Sequence, residues 1–447
     1  MTIPWELSLA EYALDLFRRR TYPSEVWQAV QLRVVDSVAC ALGAYREPSV
    51  VALREWVRRF GGRGSAAVWG DGSTASASAA TLVNAAAVRA LDFNDVYLGR
   101  EGGHPSDGLS AAWAVAEAQG RSPMELLAAL VVGYQVHGIL ADSASLRERG
   151  FDNVYYGAIA AAVMAGLLFD LQARELAEAV RIAAASSVPL LVTRYGHLTM
   201  WKGVAAAFAA HQGVEAAELA ACGVQGPSQV FTGRHGVVES VAGSWNPPSL
   251  EAEQPYRVLQ TRLKRYPAQY PLLTAVEAAV RLHAELGNQG IEEAVVTTFP
   301  YAYQIAAQGA ERWHPQSRET ADHSLPYCVA RALLDGDLTV ESFAPERLSD
   351  PALQDVLAKL RIEVADDGGE AYPPDTPVHL LVRTSAGRRL EVAIRGAQGS
   401  PQRPLALEDL RQKFWQLTHW LGSARQQQLF EALLTLPSAP RLPRLAP

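Results

Sequence analysis

Residues 91–107 read LDFNDVYLGREGGHPSD. Before them stands TLVNAAAVRAL (81–91) and after them LSAAWAVAEAQG (109–120), both alanine-rich with apolar residues at helical spacing. The stretch between is unlike either. It holds Asp92, Asp95 and Asp107, one imidazole at His104, and a bend marked by Gly99, Gly102 and Gly103. Acids set between apolar helices cost desolvation energy unless each is paired or hydrogen-bonded. A carboxylate beside an imidazole is one way to build a general acid–base pair. The ordinary alternative is a solvated loop, with Asp92 at a helix end and Pro105-Ser106 opening a turn, and residue chemistry alone gives that alternative the greater weight.

Outward from this stretch the helical pattern continues in both directions. The spacing predicts helices over 7–19, 26–43, 75–91, 109–118, 124–140, 156–169, 176–186 and 200–221, with Ser24 placed to cap the second. Alanine is the best helix former, and its small side chain lets helices approach closely. A core of many packed helices is the expected result. GGRGSAAVWGDGST (61–74) reads as a loop with a short strand and lacks the G-K-[ST] of a phosphate loop.

The composition changes near residue 267. GIEEAVVTTFP, KLRIEVADD and VHLLVRTSAGRRLEVAIRG are rich in β-branched residues, the last with a hairpin around 384–387, and a helix is expected over 323–334. The tail, LALEDLRQKFWQLTHWLG and SARQQQLFEALLTL, is helical again. The fold class expected is mainly α: a large all-helical domain over 1–266, a smaller α+β lid domain over 267–404, and C-terminal helices over 405–447 that pack back on the first domain.

With 447 residues, 49% of them hydrophobic and 19% charged, the chain can bury a sizeable core, and long disorder is not expected. The net charge of −7, with no basic block, makes nucleic acid and anionic membrane poor partners. Cys40, Cys222 and Cys328 stand far apart without a C-x-x-C, which argues against a zinc site or a disulfide framework. MTIPWELSLAEYALDLFRRR lacks the form of a signal peptide, and the apolar runs are broken by His, Arg or Gln, so a cytoplasmic protein with no membrane span is expected.

Four further stretches carry chemistry. GFDNVYYG (150–157) offers Asp152, Asn153, Tyr155 and Tyr156, although an acid at a helix start is most often a cap. TRYGHLTMWKG (193–203) sets Arg194, His197 and Lys202 at a helix start, where a lysine opposes the dipole. LKRYPAQYP (263–271) puts Lys264 and Arg265 at the domain junction, a favoured place for ligands. RETADHSLPY (318–327) combines Asp322, His323 and Tyr327, with His323 alone as readily structural. Each is weak singly. Together they supply cations, acids, imidazoles and a phenol, a set suited to proton transfer on a carboxylate-bearing substrate.

The order LDFNDVYL…GHPSD, GFDNVYYGAIAAA, LTMWKGVAAA, KRYPAQY and ADHSLPY resembles the MmgE/PrpD family over nearly the whole chain. That resemblance implies a site between the two domains, a homodimer, and no metal or organic cofactor. It implies activity of the 2-methylcitrate dehydratase kind, with cis-aconitate decarboxylase and iminodisuccinate epimerase as relatives. By motif position it makes Asp92, His104, Lys202, Lys264 and Tyr327 catalytic candidates. Arg194, Asp152, Asn153, Tyr156 and Gln269 are the substrate-binding candidates. The expected reaction is loss of water from a 2-methylcitrate-like hydroxy acid. Lys202, Lys264 and Arg194 would hold carboxylates, His104 would act as acid–base group with Asp92 orienting it or serving as partner base, and Tyr327 would donate a proton or hydrogen bond. Decarboxylation or epimerisation of a related acid is the alternative outcome, and a helical dimer without activity is a third. The chain departs from the family pattern at Val96, where threonine is usual, at Asn153, where histidine is frequent, and at Gln269 and Pro271, where an acid and an imidazole are expected. All four changes remove hydrogen-bonding or titrating groups. They point to a substrate less polar than 2-methylcitrate or lacking one carboxylate, as a tailoring enzyme would use.

Overall fold

Alanine and glycine set how closely the helices of the first domain pack. The computed structural model describes residues 3–250, 254–365 and 375–447. Helices Ala77–Ala90, Val154–Leu168 and Trp201–Ala221 meet through small side chains at the centre of this domain. A Cβ at Gly213 would lie 2.3 Å from the carbonyl oxygen of Ala158, so only glycine allows that crossing. Helix Leu109–Ala118 ends where the pattern predicts, and the others agree to within a few residues.

Two expectations are corrected. Ser24 is the first residue of helix Ser24–Gly43 and does not cap it; Pro23 holds the cap position, and the Ser24 hydroxyl donates to the Glu25 carboxylate at 3.3 Å. The second concerns helix Pro123–Ser143. Its 21 residues are long and apolar enough to cross a membrane, although the sequence reading found no such run. Gln135 and His137 interrupt it only locally, and 89% of its most apolar window is buried inside the protein.

The smaller domain is built on a four-stranded sheet ordered Leu360–Val364, Ile291–Thr298, Val378–Thr384, Arg389–Ile394. The first pair is parallel and the other two are antiparallel, with Val296 opposite Leu380 and Leu380 opposite Val392. Val378, Leu380 and Val382 alternate inward, the period-two pattern of a sheet covered on one face. The expected hairpin closes by Thr384 N–H donating to the Arg388 carbonyl at 2.9 Å, with Gly387 at φ +78°. Residues 366–367, the end of KLRIEVADD, lie outside the described residues. Helices Leu273–Leu286 and Leu325–Asp335 pack together, the former also covering the sheet. The chain is thus mainly helical, with a large helical N-terminal domain and a smaller α/β domain.

Helix Leu407–Thr418 returns to pack on helix Ser24–Gly43. Its Lys413 ammonium donates to Asp36 Oδ1 at 2.6 Å, to the Phe93 carbonyl at 2.7 Å and to the Lys264 carbonyl at 3.2 Å. One buried side chain thereby holds the 91–107 loop against the domain junction.

Candidate active site

Asp92 follows the C-terminal end of helix Ala77–Ala90 and adopts φ +48°, a left-handed conformation that glycine usually fills. A carboxylate there is also opposed by the helix dipole. Helix termination accounts for the left-handed turn, which aspartate tolerates, but not for a buried carboxylate at that end. Cations account for the carboxylate. Arg89, three residues earlier, forms an ion pair with Asp92 Oδ1. The Lys264 ammonium donates to Oδ1 and to the Asp92 carbonyl, each at 2.8 Å. Lys202 lies 3.4 Å from Oδ2. Beyond Lys202, at 3.5 Å, stands Asp322 Oδ1, which accepts from His323 Nδ1 at 2.5 Å; that nitrogen is 3.5 Å from Asp92 Oδ2. All six residues are buried. Three cations face two carboxylates, so the group keeps an excess positive charge suited to a bound anion.

Burial works to raise the Asp92 carboxyl, but Arg89, Lys202 and Lys264 outweigh it and hold the group well below the usual carboxylate range. Burial brings Lys264 down to about 8 against the pull of Asp92, and it lowers Lys202 as well. Burial, reinforced by Lys202, takes His323 down to about 4 and leaves it neutral.

His104 precedes a short helical turn, Pro105–Gly108. Its Nδ1 lies 2.5 Å from the Asp95 carbonyl oxygen. Burial, with Arg89 and Lys264 adding to it, pushes the imidazole well below its ordinary pKa. A neutral ring donating from Nδ1 carries its lone pair on Nε2. The orienting partner of His104 is therefore a backbone carbonyl, which corrects the expectation that Asp92 would do this; Asp92 is held by cations instead. The other acids of the motif tie the loop together. Asp95 accepts from Ser106 Oγ at 2.6 Å and from the Tyr134 hydroxyl at 2.8 Å. Asp107 accepts from Asn94 Nδ2 at 2.9 Å, and burial raises it to about 7.

A cavity of about 460 Å³ opens between the two domains, and Asp92, His104, Lys264, Arg194, Asn153 and Gln269 all line it, with His323 beside them. Other candidates stand back from the cavity or are already engaged by the protein. Lys202 is buried behind Asp92. Asp152 is paired to Arg194 at 2.7 and 3.3 Å, so each neutralises the other. Asn153 donates to the Gly102 carbonyl and pins the glycine bend. The Tyr156 hydroxyl donates to the Ala144 carbonyl at 2.8 Å. The Tyr327 hydroxyl donates to the Ser342 carbonyl, and its ring stacks on Phe343 at 5.8 Å. Both tyrosines are fully buried with satisfied hydroxyls, outside the cavity lining.

Sequence reasoning missed Arg89, which looks like helix filler within an alanine run. The signal was its spacing: three residues before Asp92, it stands in the last turn of the helix, within reach of a carboxylate just past the end. Arg312, another lining residue, was also missed. Ligand atoms of Asp92, Asp322 and His323 come within 4.8 Å of one another, a spacing that a metal ion can bridge. Lys202 already sits between the two carboxylates, and a dication there would meet three positive side chains.

Residues 7–249 match the family model for the MmgE/PrpD N-terminal domain, and residues 266–436 match that for the MmgE/PrpD C-terminal domain. The chain is 28% identical to the 2-methylcitrate dehydratase of Cupriavidus necator over 283 residues, 60% of this chain and 58% of that protein. It is 28% identical to the cis-aconitate decarboxylase of Homo sapiens over 376 residues, 78% and 74% of the two chains. The 2-methylcitrate dehydratase of Escherichia coli (strain K12) is 28% identical over 296 residues, 62% and 60% of the two. The match thus spans less than two thirds of either dehydratase.

Proposed function

Because the chain belongs to the MmgE/PrpD family, we propose that it is a lyase acting on a hydroxy carboxylic acid by general acid–base proton transfer. The observation that carries this reading is the cavity floor, where a neutral imidazole with a bare Nε2 stands near a buried lysine in a cluster with excess positive charge. Removing a proton next to a carboxylate builds negative charge on that carboxylate, and fixed cations stabilise it. His104 Nε2 takes the proton. The electron pair of the C–H bond becomes the new double bond, the C–O bond breaks, and the Lys264 ammonium gives a proton to the leaving hydroxyl. Asp92 keeps Lys264 in place and, with Lys202 and Asp322 behind it, sets the local charge.

Val96 and Pro271 add apolar surface to the lining. This supports a substrate less polar than 2-methylcitrate, or one with a carboxylate fewer. The first assay is purified protein on 2-methylcitrate stereoisomers and citrate, followed by alkene absorbance. Alkene forming faster from a less polar hydroxy acid than from these two is the expected result; folded protein that forms no alkene from any hydroxy acid, less polar ones included, rejects dehydration. Decarboxylation is the second reading, favoured by the longer match to the human decarboxylase. Release of carbon dioxide from cis-aconitate marks it. The same family reading carries a homodimer, which light scattering would register as twice the chain mass.

A further inference from the structure

Among the described residues, the buried and half-buried cations lining the cavity each have an anionic or carbonyl partner except one. Arg89 and Lys264 hold Asp92, Arg194 holds Asp152, and Arg147 holds Glu101 and the Tyr301 hydroxyl. Arg312 lines the same cavity from the opposite domain, on the short helix Ala310–Trp313. It is only 6% exposed, and its Nη1 is buried without a hydrogen-bond partner. Among the described residues its guanidinium makes neither an ion pair nor a hydrogen bond. Its neighbour Glu311 and the more distant Asp322 act on it only through space. Elsewhere in this domain the fold pairs such a group: Arg331, 1% exposed, reaches Asp350 at 2.9 Å and Asp335 at 3.3 Å.

A guanidinium withdrawn from water with no partner destabilises the protein that carries it. Its planar fork matches a carboxylate with two parallel hydrogen bonds. We propose that Arg312 is a specificity-determining residue that binds a substrate carboxylate from the smaller domain, across the cavity from the reacting centre at His104 and Lys264. The substrate then carries at least one carboxylate besides the one next to the reacting carbon. Binding it joins the two domains through the ligand. Gln269, also on that side and with its amide oxygen buried and unpaired, is left for a neutral donor such as a hydroxyl. This assignment rests on the lyase reading for the identity of the reacting centre, but not for the carboxylate contact itself.

The test uses the full chain and two readouts. The first needs no turnover: thermal unfolding with and without tricarballylate, a saturated tricarboxylate that cannot lose water. The native protein should be stabilised by this anion. Arg312→Gln should unfold at the same temperature as the native protein or higher without ligand, because an unpaired buried charge has gone. It should lose most of the ligand-induced rise, and Arg312→Lys should regain part of it. The second readout is steady-state kinetics on whichever hydroxy acid turns over. There Arg312→Gln should lower kcat/KM by on the order of 10-fold to 100-fold, carried mainly by KM. A ligand-induced rise that survives intact in Arg312→Gln overturns the proposal. So does a lower unfolding temperature for ligand-free Arg312→Gln together with Arg312→Lys, which marks a structural role. A native protein that no polycarboxylate stabilises overturns it too. Stabilisation without turnover of any acid would instead reject the lyase reading and leave the Arg312 contact standing.

Discussion

Two groups of buried charge lie within a few residues of each other and do different work. In one, Lys413 directs its three hydrogens to Asp36 and to the carbonyls of Phe93 and Lys264, with its ammonium 3.7 Å above the Phe93 ring. One cation meets one carboxylate, and neither lines the cavity. In the other, Arg89, Lys202 and Lys264 converge on Asp92, with Asp322 as a second carboxylate in contact, and the group opens on the cavity. Burial alone does not mark a functional charge. An imbalance of charge facing a cavity does, because a ligand can complete it. The first group fastens the loop and junction whose neighbouring residues, Asp92 and Lys264, form the second.

The largest effect should come from breaking the unbalanced group at its centre. Asp92→Asn leaves three buried cations without their main carboxylate, and kcat should fall by on the order of 10²–10⁴ in steady-state assays. A variant that folds and keeps activity within about tenfold of the native protein would show that the cluster is not catalytic.

The balanced group should answer with stability instead. Lys413→Met leaves Asp36 buried and uncompensated, and urea unfolding should show a loss of ~3–5 kcal/mol. Burial already raises the Asp36 carboxyl despite Lys413, so the lone acid will protonate instead of staying charged. Adding Asp36→Leu should recover much of the loss, because an apolar pair of similar volume avoids the desolvation cost. Turnover per folded molecule should fall far less than in Asp92→Asn.

A pH profile separates the two groups again. Lys264 is protonated below about 8 and loses its proton above. Activity that needs its ammonium is therefore full on the acid side of that value, and kcat/KM falls by about tenfold per pH unit beyond it. Lys264→Arg, whose charge does not titrate in this range, should flatten that limb at a lower plateau. A basic limb that persists unchanged in Lys264→Arg assigns it to another group.

Much of this was legible in the sequence. Alanine spacing located the helices, and β-branched runs located the sheet. The change of composition put Lys264 at the domain junction, and the family resemblance, not residue chemistry alone, grouped Asp92, His104 and Lys202 with it. Partner choice was not legible. Asp92 looked like an orienting group for His104 because both lie in one loop, but the left-handed turn at Asp92 sends its carboxylate toward lysines over a hundred residues away, and a local carbonyl holds the imidazole. Tyr327 and Tyr156 share motifs with polar neighbours, yet their side chains follow helix faces into packing. Arg312 carried no motif at all; its interest comes only from what fails to surround it.

The smallest effect tests whether the departures from the family pattern belong to the site. Val96 is 5% exposed and lines the cavity, while its backbone N–H and C=O pair with Arg262 at 2.9 and 2.8 Å. Val96→Thr keeps the β-branched shape and leaves that pairing intact. It changes one methyl group to a hydroxyl. A hydroxyl turned into the packing would cost ~1–3 kcal/mol, whereas one turned to the cavity meets water or substrate at little cost. The expectation is a stability change below ~1 kcal/mol, with preference moving toward more hydroxylated or more highly charged acids by up to about tenfold in relative kcat/KM. Unchanged preference, in a variant that is equally stable, would place the substrate's polar groups elsewhere and remove Val96 from any account of substrate choice.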